Sequence, residues 1–96
     1  MNQQPQQGEI QIKINDEKLK GEYSNLVQIL HQKEEFILDF FSVFPPAGTL
    51  NSRVVLSPGH FKRMVNAMTQ NLKLYEEKFG TIAEVDTPEQ KIGFHA

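Results

Sequence analysis

Between residues 23 and 44 the chain has no polar face to turn to water. Two runs rich in β-branched and aromatic residues, 23–31 and 35–44, flank Gln32-Lys33-Glu34 and read as an antiparallel hairpin. With Lys33-Glu34 as the turn, Ile29 faces Leu38, Val27 faces Phe40 and His31 faces Phe36 on one side of the ribbon. On the other side Leu30 faces Ile37 and Leu26 faces Phe41, while the two polar residues Gln28 and Asp39 fall opposite each other. A slip of one residue would send every side chain to the wrong face, and the meeting of the polar pair supports this register. Both faces are then apolar, so a sheet built on this ribbon needs cover on both sides.

The chain offers one obvious cover. Ser57 is a good N-cap, and Pro58 falls at the first helical position, where its missing N–H costs nothing. Phe61, Met64, Val65, Met68, Leu72, Tyr75 and Phe79 then recur at three- and four-residue steps, an apolar stripe at helical period. Lys62, Asn66, Thr69, Gln70, Lys73, Glu76 and Glu77 form the solvated side, and Gly80 is placed to stop the helix. A weaker flank, Ala67 and Leu74 beside Arg63 and Asn71, would suit a modest contact with another subunit.

Upstream, Ile10, Ile12 and Ile14 alternate with Gln11, Lys13 and Asn15, the pattern of a half-buried strand, and Asn15-Asp16-Glu17-Lys18 reads as a turn. Downstream, Pro45-Pro46-Ala47-Gly48-Thr49-Leu50-Asn51-Ser52 reads as a loop long enough to cross the sheet, and residues 53–56 as a short strand feeding the helix. The spacing therefore predicts an α+β fold: an antiparallel β-sheet in a β-β-β-β meander, packed by one long C-terminal helix. Residues 1–8, Gln-rich and with nothing to bury, read as a disordered tail, 9–82 as one domain, and 83–96 as a flexible tail carrying Phe94 and His95.

One face of the hairpin, with Val27, Ile29, Phe36, Leu38 and Phe40, can sit under the helix. The other, with Leu26, Leu30, Ile37, Phe41 and Val43, has no second helix to cover it and reads as an oligomer interface. Such a patch exposes several hundred Å² of apolar surface, the scale of interaction sites.

Composition excludes several classes. The 96 residues contain no cysteine, so there is no disulfide framework and no thiolate chemistry, as suits a reducing cytoplasm. A net charge of −2 argues against bulk attraction to nucleic acid. No apolar run reaches membrane-spanning length and no signal-peptide pattern opens the chain. Catalytic residues, cofactor and metal are all expected to be none. Ser57 and His60 lack an orienting acid and an oxyanion hole, His31, His60 and His95 match no metal spacing, and Glu34 and Glu35 point apart in an extended stretch. Asp39, inside an apolar strand, is a carboxylate whose pKa would rise if its face were buried in an oligomer, with pairing to Gln28 or capping of a neighbouring backbone group as the plainer reading. Arg53, Gly59, His60, Lys62 and Arg63 gather around the helix start, where free backbone N–H groups bind anions; a solvated, capped helix start is the plainer reading here too.

Tyr23-Ser24-Asn25, His31, Glu35-Phe36-x-Leu38-Asp39-Phe40, Arg53-Val54-x-Leu56-Ser57-Pro58-x-His60-x-Lys62-Arg63, Asn71, Tyr75-Glu76 and Phe79-Gly80 together resemble a family of small bacterial and archaeal proteins, domain of unknown function number 3467. The resemblance covers residues 22–80 and departs at Phe61, where a small residue is the family's pattern. It implies domain boundaries and no activity. The layout also resembles, at fold level, the export chaperone SecB, which associates through its sheets. The expectation is a homo-oligomeric, non-enzymatic protein-interaction module of chaperone-like character. The alternative is a regulatory binder of nucleic acid or an anionic ligand working through the basic helix start.

Overall fold

The computed structural model of the chain describes residues 8–85 and Gly93. A single helical turn, α1 (Asp16–Leu19), is followed by β1 (Leu26–Gln32), β2 (Glu35–Phe44), β3 (Ala47–Leu56) and the long helix α2 (Pro58–Phe79). The strands form one antiparallel sheet in the order β1-β2-β3, and α2 follows β3 after one residue. The tails expected at 1–8 and 83–96, with Phe94 and His95, lie almost entirely outside the described residues.

The hairpin stands in the register read from its residues. Leu26 pairs with Phe41, Val27 with Phe40, Gln28 with Asp39, Ile29 with Leu38, Leu30 with Ile37 and His31 with Phe36. The rings of His31 and Phe36 lie 5.7 Å apart, and Lys33-Glu34 makes the turn.

The expected four-stranded meander is corrected to three strands. Residues 9–14 pair with neither sheet edge, and Ile10, Ile12 and Ile14 are 80%, 77% and 62% exposed. Alternation states which side chains want burial; a strand also needs a ladder partner, and no described segment supplies one. The turn expected after it is α1, closed by Lys18 and Leu19 N–H groups donating to Asn15 O at 2.9 and 3.2 Å.

The expected crossing loop is also corrected. Pro45-Pro46, joined by a cis peptide bond, is the turn of a second tight hairpin, and β3 runs without a break from Ala47 to Leu56. Two prolines at a hairpin end withhold no ladder donor. Gly48 lies opposite Val43, and a Cβ there would stand 3.3 Å from Val43 Cγ2, so the strand comes close because this residue has no side chain. One irregularity separates the pairs Phe40–Ser52 and Phe41–Leu50, which leaves Asn51 as the extra residue of a bulge.

The helix forms as its caps dictate. Ser57 Oγ accepts from His60 N–H at 3.2 Å, Pro58 occupies the first turn, and Gly80 closes the helix at φ +97°, a conformation open to glycine. Its cover of the sheet is much less than its stripe predicts. The ring of Phe61 stacks on Phe36 at 4.0 Å and 3°, which sets the helix start on the Phe36–Leu38 face. Beyond Met64 the helix leaves the sheet, and none of its residues is fully buried. Val27 and Ile29, expected beneath it, remain 45% and 50% exposed.

The interior is accordingly small: Leu38, Phe41, Leu56 and the carboxylate Asp39 are the buried residues among those described. The radius of gyration is 17.9 Å, against about 12.5 Å for a compact chain of this length. We expect Leu38→Ala to cost about 3 kcal/mol, as for a well-enclosed leucine, and Ser57→Ala about 1 kcal/mol through the lost cap. Urea unfolding of the two variants checks both values, and their order.

Candidate functional site

The apolar side chains left outside the small interior form the candidate site. On the sheet face opposite the helix start, Phe41 is 8% exposed within the single chain. Leu26, Ile37 and Val43 beside it are half-buried, and Leu30 is exposed. Of the five residues read as an interface, Leu30 is therefore the one that offers most of its side chain, and Phe41 the one that already belongs to the interior. The larger uncovered surface is one that the sequence assigned to packing. On α2, Val65, Met68, Leu72, Tyr75 and Phe79 are all exposed, with Tyr75 and Phe79 rings 5.0 Å apart. Helical periodicity alone cannot say whether a stripe meets its own sheet or another molecule, and beyond Met64 this stripe does not meet its own sheet.

Asp39 is held by none of the groups that its sequence context names. Arg53 sits directly opposite it on β3 and donates from Nε and Nη2 to the two carboxylate oxygens at 2.7 and 2.8 Å. This fork-on-carboxylate geometry favours the ionised acid. The Arg53 hydrogen bonds lower the Asp39 pKa; burial opposes them, and the positive charge adds to them. The expected partner, Gln28, lies across from Asp39 on the other side. The Arg53 pairing could not be found while residues 45–52 were read as a loop, because β3 then had no register.

The basic cluster at the helix start is only partly assembled as a cluster. Arg53 has its guanidinium on Asp39. Arg63 Nη2 lies 3.0 Å from His60 Nδ1, one helical turn away. Gly59 and Lys62 are exposed on the same first turns.

The segment Tyr23-Ser24-Asn25 is tied down by polar contacts. The Asn25 side chain accepts from Val43 N–H and donates to Val43 O, both at 2.8 Å, so an amide extends the β1–β2 ladder where a peptide group otherwise would. Ser24 Oγ lies 3.1 Å from Leu26 O and 3.0 Å from Phe41 O. Tyr23 O accepts from Ser42 Oγ at 2.5 Å and from Asn51 Nδ2 at 2.6 Å, and Asn51 also donates to Ser42 Oγ at 2.7 Å. The bulge is what turns Asn51 to this clasp.

Among the described residues no three histidine, aspartate or glutamate side chains gather as a metal site, and no helix is long and apolar enough to cross a membrane. The geometry defines a small α+β protein with a three-stranded antiparallel sheet, one C-terminal helix and apolar surface exceeding its interior. The model of the family described as "Protein of unknown function (DUF3467)" matches residues 1–84, and the chain belongs to that family. No curated protein and no solved structure matches it, so the likeness to SecB has no finding behind it. Many of the residues that carry the family resemblance, Tyr23-Ser24-Asn25, Asp39, Arg53, Ser57 and Gly80 among them, are engaged in holding strands and helix ends.

The pH dependence of stability follows from Asp39. Its folded-state pKa lies below the ordinary 3.8, so its contribution is full above that value and is lost as pH falls through the folded one. Thermal melts from pH 7 to pH 2 should show a steep loss in the acid range that is shallower in Asp39→Asn, whose melting temperature at pH 7 is lower.

Proposed function

We propose that this chain is a non-enzymatic, homo-oligomeric protein-interaction module that associates through the apolar surface its own fold leaves open. The observation that carries this reading is the imbalance between interior and exterior. Among the described residues three apolar side chains are buried, whereas both hairpin strands, β3 and α2 from Val65 to Phe79 present exposed ones. At about 25 cal/mol per Å², covering several hundred Å² is worth several kcal/mol, comparable to the entire stability of a small domain. Self-association is the simplest cover, since a second copy is always present and brings the same unmet surface.

A chaperone-like form of the same module would add an extended client segment to the open edge of β1 or β3, where main-chain groups supply affinity and alternate side-chain pockets supply selectivity. The cysteine-free composition suits a cytoplasmic setting. The anionic-ligand alternative finds less support, because Arg53 is committed to Asp39 and Arg63 to His60, and the chain carries a net charge of −2.

Light scattering on the full chain at micromolar concentration should give the mass of a dimer or larger assembly, and a monomer would sink the reading. Because Phe41 is interior, Phe41→Asp tests folding. Leu30→Asp is the cleaner probe of the sheet face: if that face takes part, it lowers the assembly mass while leaving the circular dichroism spectrum intact.

A further inference from the structure

The apolar stripe of α2 carries a second pattern beyond the exposure of its residues after Met64. Phe61, Val65, Met68, Leu72, Tyr75 and Phe79 are separated alternately by four and three residues. That is the alternation of a two-helix seam, in which apolar positions recur every 3.5 residues. Lys62, Thr69 and Glu76 border this seam on one side at intervals of seven; Met64, Asn71 and Lys78 border it on the other.

We infer that α2 pairs antiparallel with α2 of a second copy of this chain, about a two-fold axis passing the helix near residue 70. This deepens the homo-oligomeric reading and rests on it. In an antiparallel pair, like flanks meet. Lys62 then lies against the partner's Glu76, and by symmetry Glu76 against the partner's Lys62, with Thr69 beside its own counterpart between them. Across the seam, Val65 meets the partner's Tyr75 and Met68 meets the partner's Leu72, each layer occurring twice. Asn71 meets its own counterpart on the far flank. A parallel pair in register sets unlike flanks together and brings no opposite charges into contact, so the charges select the antiparallel arrangement.

Three features of the single chain agree with this occupant. From Val65 to Phe79 the seam side chains are exposed, Met68 by 60% and Phe79 by 65%, so the fold has not already used them, while Phe61, stacked on Phe36, closes the seam at its sheet end. A shallow depression lined by Thr69, Leu72, Lys73, Glu76 and Glu77 runs along the flank that the partner's Lys62 would approach. Glu76 accepts from Ile82 N–H through Oε2 at 2.8 Å, which leaves its second oxygen for the partner's Lys62. A specific interface has to clear about 1,000 Å² over two copies, and the exposed Val65, Met68, Leu72, Tyr75 and Phe79 of each helix are what the seam brings toward that area. Its ends gain more, because the partner's Phe79 arrives beside the Phe36–Phe61 stack where sheet and helix join.

The test uses the full chain. Sedimentation or light scattering across a dilution series should show Lys62→Glu and Glu76→Lys each weakening the dimer by about tenfold or more, and the double variant regaining most of that loss. Lys62→Glu places a negative charge in the first turns of the helix, where the dipole favours it, so a loss of dimer there does not come from a damaged helix. The chain has no cysteine, which permits a second readout with a short thiol cross-linker. Thr69→Cys should link to itself, and a mixture of Lys62→Cys with Glu76→Cys should link to each other. A Lys62→Cys chain that links to itself would overturn the antiparallel pair. A dimer indifferent to all the charge changes would overturn the helix seam and leave the homo-oligomeric reading standing, whereas a wild-type monomer would remove both.

Discussion

β2 is the middle strand of three and is apolar toward both faces, so it needs cover above and below, and one helix can approach only one of them. Everything else in the molecule is arranged around that constraint. Among the described residues three of the four buried ones, Leu38, Asp39 and Phe41, belong to β2, and the fourth, Leu56, is on its neighbour. The helix reaches the sheet at the Phe36–Phe61 stack and then departs. The aromatic ring at position 61 is therefore the joint of the molecule: it fixes which face receives the helix start and leaves the remainder of the stripe facing outward.

Polar contacts compensate for the small apolar interior by fixing strand order and register. The Asp39–Arg53 pair spans β2 and β3 with two charge-assisted hydrogen bonds, and removing Arg53 leaves the buried Asp39 carboxylate without its partner, which costs more than the pair contributes. At the other end of the sheet, Asn25 completes the β1–β2 ladder with its side chain while Asn51, Ser42 and Tyr23 close the bulge. These contacts specify one register in a sheet whose two-sided apolar ribbon would otherwise tolerate slippage. They also account for a good part of the residue pattern that marks the family without invoking a reaction.

On the proposed reading, the interior and the exterior are those of a protomer. A domain of this length sits at the lower end of what one core can sustain, and here much of the available apolar surface lies outside the core. The proposed seam along α2 and the half-covered sheet face are two distinct surfaces on such a protomer. In that proposal one of them holds copies together while the other remains open to a further partner.

The sequence by itself determined two local features: the β1–β2 register, because a turn at Lys33-Glu34 sets the polar Gln28 opposite the polar Asp39, and the limits of α2, because Ser57, Pro58 and Gly80 act on their own backbone. It did not determine where those elements go. Ile10, Ile12 and Ile14 have the alternation of a strand, but a strand needs a neighbour that alternation cannot name. Pro45-Pro46 and Gly48 have loop composition, yet the glycine is there because Val43 approaches it across a ladder. Arg53 was legible as a cation near the helix start, and only the β2–β3 register makes it the partner of Asp39. Of the candidate surface, the sheet face was legible and the helix stripe was assigned to packing, since periodicity fixes which side of a helix is apolar and only the tertiary structure decides what that side meets.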